Sequence, residues 1–270
     1  MSRQANLDGL CRNLEDYARK NGIGVPNPPS RAAERLSDSL FLAHSTSGEK
    51  FSDICGSGCL ASAARLAADR SAPLAPGGAE VILGTAGSVF FYVSPFRYPN
   101  TGCGFLFAKT LESDRSDDGK ATPFDSGGLL KAFTRPDAAE PPRAFLSRNE
   151  LPIPEHRRYL GLSMDVLFDK PEDYVEGLEP RLPGPIGLTG GDHRRWTHEV
   201  RIPDRVPVRD SHLQAVFAPR SRVAADPEVE DLFQWCASEG VDHIAFDTPR
   251  RNDFEALRRE CLLYIRRKLY

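Results

Sequence analysis

An α+β fold in one domain, with flanking helices and long loops, is what this sequence predicts, and three observations predict it. The chain has 270 residues, and at roughly 100–200 residues per domain that makes one large domain or two small ones. Apolar residues recur at helical spacing near both ends, over about 5–20 and again over about 226–270. Between them lie short apolar runs of strand character, mixed irregularly with helical stretches instead of alternating as a βαβ array requires. The reading is a single domain over 1–270, with an N-terminal helix and C-terminal helices packed on it.

In chain order, Leu7, Leu10, Cys11, Leu14 and Tyr17 fall on one face of a helix that Asn21-Gly22 ends. The Pro-rich connector VPNPPS follows. The short apolar run Leu40–Ala43 is stopped by a Ser/Thr/Gly cluster, as a buried strand would be. Residues 49–68 read as a helix broken at Cys55–Gly58, SAPLAPGGAEVILGTAG as a loop, and SVFFYVSPF as the clearest strand. The stretches 112–123 (ESDRSDDGKATP) and TRPDAAEPPRAF have the composition of solvated loops. Residues 171–191, with four prolines and five glycines, should be irregular and exposed. RRWTHEVRI alternates, so that Trp196, His198, Val200 and Ile202 face one way, and HLQAVFAP is a further strand. Asp226-Pro227 starts a helix that presents Val229, Leu232, Phe233 and Cys236. The last helix, FEALRRECLLYIRRKL, is apolar at Leu257, Cys261, Leu262, Tyr264 and Ile265.

Composition removes several classes of function. With 40% hydrophobic and 27% charged residues the chain can bury a sizeable core, which excludes global disorder and a disulfide miniprotein. A net charge of −3 excludes a strongly basic nucleic-acid coat protein, though not a local basic groove. No apolar run approaches the ~20 residues needed to span a bilayer. The six cysteines form no CxxC pair and the N-terminus has no signal-peptide character, so a reduced, cytoplasmic protein without membrane contact is expected.

Familiar catalytic motifs are missing. There is no GxxxxGK[ST] phosphate loop, no GxGxxG after a strand and no GxSxG elbow. His198-Glu199 has Ile202 where a zinc-protease motif needs histidine. Cys55, Cys59, Cys103 and His44 match no standard zinc spacing, so no metal site is expected. What remains is a set of polar residues at strand ends. His44-Ser45-Thr46 closes the first core strand, and its imidazole can make two directed hydrogen bonds. Tyr92 and Ser94 lie in and just beyond SVFFYVSPF, whose aromatics serve the core by default. Glu199 lies inside RRWTHEVRI, and a strand carboxylate flanked by Arg195 and Arg201 is usually a solvated cross-strand ion pair.

The order of these pieces resembles the ADP-ribosyltransferase superfamily, in particular the DarT group of nucleic-acid ADP-ribosyltransferases. HSTSGEKFSDICGSGCLASAARL is similar to the family's His-x-Thr strand end and the helix after it. Pro76-Gly77-Gly78 and SVFFYVSPFRYPN are similar to its PGG turn and the following strand. RRWTHEVRIPDRVPV resembles the strand that carries the catalytic glutamate. The likeness covers roughly residues 40–105 and 190–220, and TPFDSGGLLKAF has no counterpart in it.

The resemblance implies a split β-sheet core of ADP-ribosyltransferase type, with NAD held as substrate in a cleft between two small sheets. Glu199 would be catalytic, and Arg65 or Arg70 would bind the diphosphate. His44, Ser45 and Thr46 would grip nicotinamide and ribose, and Tyr92, Ser94 and Phe96 would complete the ligand site. A nucleic-acid base, in DNA or RNA, is the implied acceptor, with Arg194, Arg195, Arg201, Arg205 and Arg209 as a basic edge. A bacterial toxin or phage-defence effector restrained by an antitoxin protein is the implied setting. The rivals are an NAD glycohydrolase, in which water replaces the acceptor, and a non-catalytic binding module of the same fold.

Overall fold

The structure is a computed structural model that describes residues 3–75, 77–93, 95, 101–111, 119–131, 133–135, 139–190, 193–248 and 253–270. Two helices open the chain, α1 (Arg3–Lys20) and α2 (Arg31–Ser39). The second starts where the Ser30 hydroxyl accepts the Ala33 N–H, at 3.2 Å. Then come β1 (Phe41–Thr46), α3 (Gly48–Ser57), β2 (Cys59–Ala61), α4 (Ala63–Asp69) and α5 (Ala79–Leu83). The strands β3 (Ser88–Val93), β4 (Cys103–Ala108) and β5 (Lys120–Thr122) follow, with a 3-10 turn at Ser126–Leu130. The next elements are α6 (Pro142–Arg148), β6 (Leu151–Pro152), α7 (Ile153–Leu167) and α8 (Pro171–Glu176). A second 3-10 turn, His193–Trp196, leads to β7 (Glu199–Pro203), β8 (Arg205–Pro207) and β9 (Leu213–Pro219). The chain closes with α9 (Arg220–Ala225), α10 (Pro227–Glu239), β10 (Asp242–Phe246) and α11 (Asp253–Leu269).

The α+β class holds, and the sheet shows where the core divides. Eight strands run in the order β10-β9-β4-β1-β3-β7-β5-β6, and β2 pairs with β8 in a separate two-stranded sheet. β1 pairs along six residues with β4, while among the described residues Leu42↔Val93 and Ala43↔Tyr92 tie it to β3. Pairing thus lapses past Ala43 at the β1–β3 seam, within one continuous sheet instead of between two separate small sheets.

Alternation sorts the side chains around this seam. Val89, Phe91 and Val93 of β3, Ala121 of β5, and Val200 and Ile202 of β7 are buried in the main core. Their neighbours Phe90, Tyr92, Glu199 and Arg201 belong by alternation to the other face. A second, smaller apolar cluster, Leu83, Phe124, Leu129, Phe133, Phe145, Leu146 and Leu188, packs α5, α6 and the Ser126–Leu130 turn together. The six cysteines are free thiols, five of them buried. Among the described residues no helix is long and apolar enough to cross a membrane.

Several expectations are corrected. The helix expected over 49–68 is two helices with β2 between them, because Gly58 takes the left-handed conformation (φ 70°) and Cys59–Ala61 then pairs with β8. The end of the loop expected over 112–123 is β5, which pairs with β7 and buries Ala121 and Thr122. TRPDAAEPPRAF runs into α6, whose Phe145 is buried, and SAPLAPGGAEVILGTAG contains α5. The expected exposed stretch 171–191 contains α8, with Asp173, Tyr174 and Val175 buried. Pro171 sits at its first turn and Gly177 (φ 72°) ends it, so these residues cap a helix and do not break one. In RRWTHEVRI the strand begins only at Glu199, after a 3-10 turn. Val200 and Ile202 do face the core together.

Candidate functional site

One rung of the sheet builds the floor of the site. Ala43 pairs with Tyr92, Tyr92 with Glu199, and Glu199 with Thr122, so four adjacent strands present side chains at the same level of the same face. Ala43 is small, the ladder beside it stops, and a cleft of about 450 Å³ opens there. Its walls include Ser45, Phe90, Tyr92, Asp125, Ser126 and Glu199, with Lys50, Lys131 and Arg194 as its cations. The volume suits a small organic ligand.

Glu199 is 1% exposed. Ser126 clamps its carboxyl, the hydroxyl donating to Oε1 at 2.6 Å and the backbone N–H to Oε2 at 3.3 Å. The Arg201 guanidinium stands behind it, Nε at 3.6 Å, while the same side chain ion-pairs Glu150 at 2.5 Å. Burial, and next the negative charge of Asp125, push the Glu199 carboxyl up to about 8 against the opposing pull of Arg201 and Ser126. A buried acid held in this state is costly, and such groups concentrate at functional sites.

Asp125 is the second buried acid, 3% exposed. Its Oδ2 accepts the Tyr92 hydroxyl at 3.1 Å and faces Arg194 at 3.3 Å, and its Oδ1 accepts the Gly127 N–H at 2.9 Å. Burial raises its pKa, with Arg194, Tyr92 and Gly127 opposing. Burial and the two neighbouring carboxyls also push the Tyr92 phenol well above its ordinary range, so Tyr92 stays a donor. The main chain fixes the segment, because the Asp125 N–H donates to the Arg194 carbonyl at 3.0 Å. Gly128 is closely packed, since a Cβ there would lie 2.6 Å from the Phe133 ring, which would have to move.

His44 closes the seam where main-chain pairing ends. Its Nδ1 lies 2.9 Å from the Phe90 carbonyl and must donate to it, which leaves Nε2 as an acceptor while the ring is neutral. Burial first, then the charge of Lys50, lower its pKa and keep it neutral. The hydroxyl of Ser45 is buried on the cleft wall without a hydrogen-bond partner, an orphan that a bound ligand would satisfy. Behind the site, His156 donates from Nε2 to His198 Nδ1 at 2.8 Å, and His198 donates from Nε2 to Ser163 at 3.2 Å. Ser163 passes its own proton to the Leu160 carbonyl, which fixes the direction of this chain. Burial lowers the pKa of both imidazoles, His198 to about 3.

The residues singled out from sequence therefore divide. His44, Ser45, Tyr92 and Glu199 meet at the cleft. Thr46 is buried at the end of β1 opposite Cys103 and is not part of the wall. Ser94 and Phe96 lie outside the described residues. Arg65 and Arg70 point elsewhere, Arg65 to Asp69 at 3.1 Å and Arg70 to Asp53 at 3.8 Å on the surface. The expected basic edge is neutralised, for Arg195 pairs with Glu179, Arg205 with Asp204 and Arg209 with Asp231, while Arg201 is buried. Among the described residues no cluster of three His, Cys, Asp or Glu could hold a metal. Sequence reasoning missed Asp125, Ser126, Lys50 and Lys131. The run Asp-Ser-Gly-Gly, a helix-cap residue before two flexible ones, was the available signal.

No protein-family model matches the chain, and no curated protein matches its sequence. Solved structures of Thermus sp. 2.9 DarT are similar at low level. The NAD+ complex shares 13% identity over 86% of this chain and 100% of that one, with a TM-score of 0.39. The complex with ADP-ribosylated ssDNA shares 12% identity over 85% and 98%, also at 0.39. The carba-NAD+ complex shares 11% over 77% and 96%, with the same TM-score.

Proposed function

We propose that the protein is an NAD-dependent ADP-ribosyltransferase that places ADP-ribose on a macromolecule. The observation that supports this most is Glu199, a nearly fully buried carboxyl on the wall of a ligand-sized cleft, where a purely structural side chain would be apolar. Breaking the bond between nicotinamide and ribose leaves positive charge on the ribose carbon, and the electron pair departs with the nicotinamide nitrogen. A carboxylate fixed beside that carbon stabilises the charge as it develops. The same group then takes the proton of the acceptor as the new bond to the ribose carbon forms.

The other residues fit supporting roles. His44 Nε2 accepts a ribose hydroxyl, and the unpartnered Ser45 hydroxyl meets the carboxamide. Phe90 and Tyr92 offer aromatic surface to the ring. Lys50, Lys131 and Arg194, not Arg65 or Arg70, are the wall's cations for a diphosphate. The DarT-like sequence pieces favour a nucleic-acid base as acceptor. A cytoplasmic toxin or defence role, with an antitoxin protein as partner, goes with the same resemblance.

The test is incubation with labelled NAD and separate pools of DNA, RNA and protein. Label retained on a nucleic-acid pool is the expected result. Free ADP-ribose alone would make the protein a glycohydrolase, and no nicotinamide release would make it a binding module.

A further inference from the structure

The proposed reaction uses one acid, yet the cleft holds two. The Asp125 and Glu199 carboxyls are 3% and 1% exposed, line the same cleft, and are brought together by Ser126, the residue after Asp125, which binds Glu199. Consecutive residues hold both: Ser126 binds each oxygen of Glu199, while Asp125 is tied down by Tyr92, Arg194 and the Gly127 N–H. Two carboxylates this close and this dry repel strongly, and one proton between them turns the repulsion into a hydrogen bond. The charged groups around them do not remove the need for that proton. Arg194 serves Asp125, and Arg201 is shared with Glu150. Lys50, Lys131 and Glu80 also line the cleft, the two lysines being exposed, and His44 at the seam is neutral.

We propose that Asp125 and Glu199 form a carboxyl pair sharing one proton, and that Asp125 thereby holds the glutamate as its acid until a ligand bearing positive charge enters the cleft. The proposal rests on the NAD reading above, because the pyridinium nitrogen of NAD carries that charge. When NAD binds, the shared proton passes to solvent and Glu199 faces the ribose carbon as the anion. The reduced, uncharged dihydronicotinamide ring does not discharge the pair. Asp125 touches no reacting atom. It is a positioning residue, and it makes the site selective for the charge of its substrate.

Calorimetry of NAD binding near neutral pH, in buffers of different ionisation enthalpy, reads the proton directly. The wild type should release about one proton per NAD and none with NADH. Asp125→Asn should bind NAD with a clearly smaller release, since its glutamate, still buried, is already partly ionised, and Asp125→Glu should restore the release. NAD binding by the wild type without proton release, or an unchanged release in Asp125→Asn, overturns the pair. Carbon-13 NMR of the ligand-free, carboxyl-labelled protein provides an arm independent of NAD. The Glu199 titration should move at least about one pH unit lower in Asp125→Asn, and an unmoved titration overturns the pair. A protein that shows this shift but binds no NAD supports the pair and refutes the NAD reading.

Discussion

Replacing Glu199 by Gln should stabilise the protein at neutral pH while abolishing its chemistry. The folded state raises this carboxyl from its ordinary 4.5 to about 8. A raised acid contributes its stability below the unfolded value and loses it as pH climbs through the folded one. Between those limits the unfolded chain ionises freely and the native site resists. At pH 7 the difference amounts to about 3 kcal/mol against the fold, growing to about 5 kcal/mol above pH 8. Gln cannot ionise, so it escapes this cost. It still accepts the Ser126 hydroxyl, but its amide cannot accept the Ser126 N–H that now reaches Oε2. That mismatch costs about 1 kcal/mol. The net gain is then about 2 kcal/mol at pH 7, with a small loss near pH 5. Urea unfolding of both proteins at pH 5, 7 and 8 measures it, and comparing the two removes the contribution of the buried histidines. Turnover of NAD at saturating substrate should fall at least about a hundredfold, the mark of charge stabilised in the transition state. Parallel stability curves at every pH would refute the argument from burial, and wild-type turnover would refute the catalytic assignment.

Three other outcomes are expected. His44→Ala should weaken NAD binding by about 1.5–3 kcal/mol, read by calorimetry, because the ring joins the Phe90 carbonyl on one side and offers Nε2 on the other; unchanged affinity in a folded variant removes His44 from the site. Gly128→Ala should cost about 1–3 kcal/mol of stability, because its methyl group would meet the Phe133 ring and displace the turn that carries Ser126; thermal unfolding checks it. Arg65→Ala and Arg70→Ala should keep NAD affinity within about twofold, since both side chains make only exposed ion pairs away from the cleft. Arg194→Ala should weaken it, and affinities that rank the other way would return the diphosphate to α4.

What the sequence disclosed and what it hid follow from how far each contact reaches along the chain. His44, Tyr92 and Glu199 could be named because strand character is a local pattern, and a polar residue at a strand end is conspicuous against it. Their convergence needs only the β1–β3–β7 order. Asp125 and Ser126 reach Glu199 because β5 pairs with β7 across a long separation, and nothing local records that pairing. The composition around β5 even pointed the other way, toward a solvated loop. Arg65 and Arg70 came from the family resemblance alone, and their side chains pair on the surface with Asp69 and Asp53. Reading 49–68 as one broken helix also hides β2, which pairs with β8. The Pro and Gly residues of 171–191 misled because these residues punctuate helices as readily as loops.

The same reasoning explains why the fold accepts two acids in its interior. Among the described residues the β1–β3 pairing stops at Ala43↔Tyr92, so the sheet gives up ladder hydrogen bonds where Ala43 leaves space. One backbone carbonyl there, that of Phe90, is satisfied by the His44 ring instead. The open face would expose the carboxyls to water if nothing covered it. The cluster of Leu83, Phe124, Leu129, Phe133, Phe145, Leu146 and Leu188 supplies the cover and fixes the Asp125-Ser126 turn over Glu199. The cover therefore has two consequences that cannot be separated. It keeps the Glu199 carboxyl out of water, and it ties the proposed activity to the stability of the turn, so that a substitution such as Gly128→Ala should lower both together.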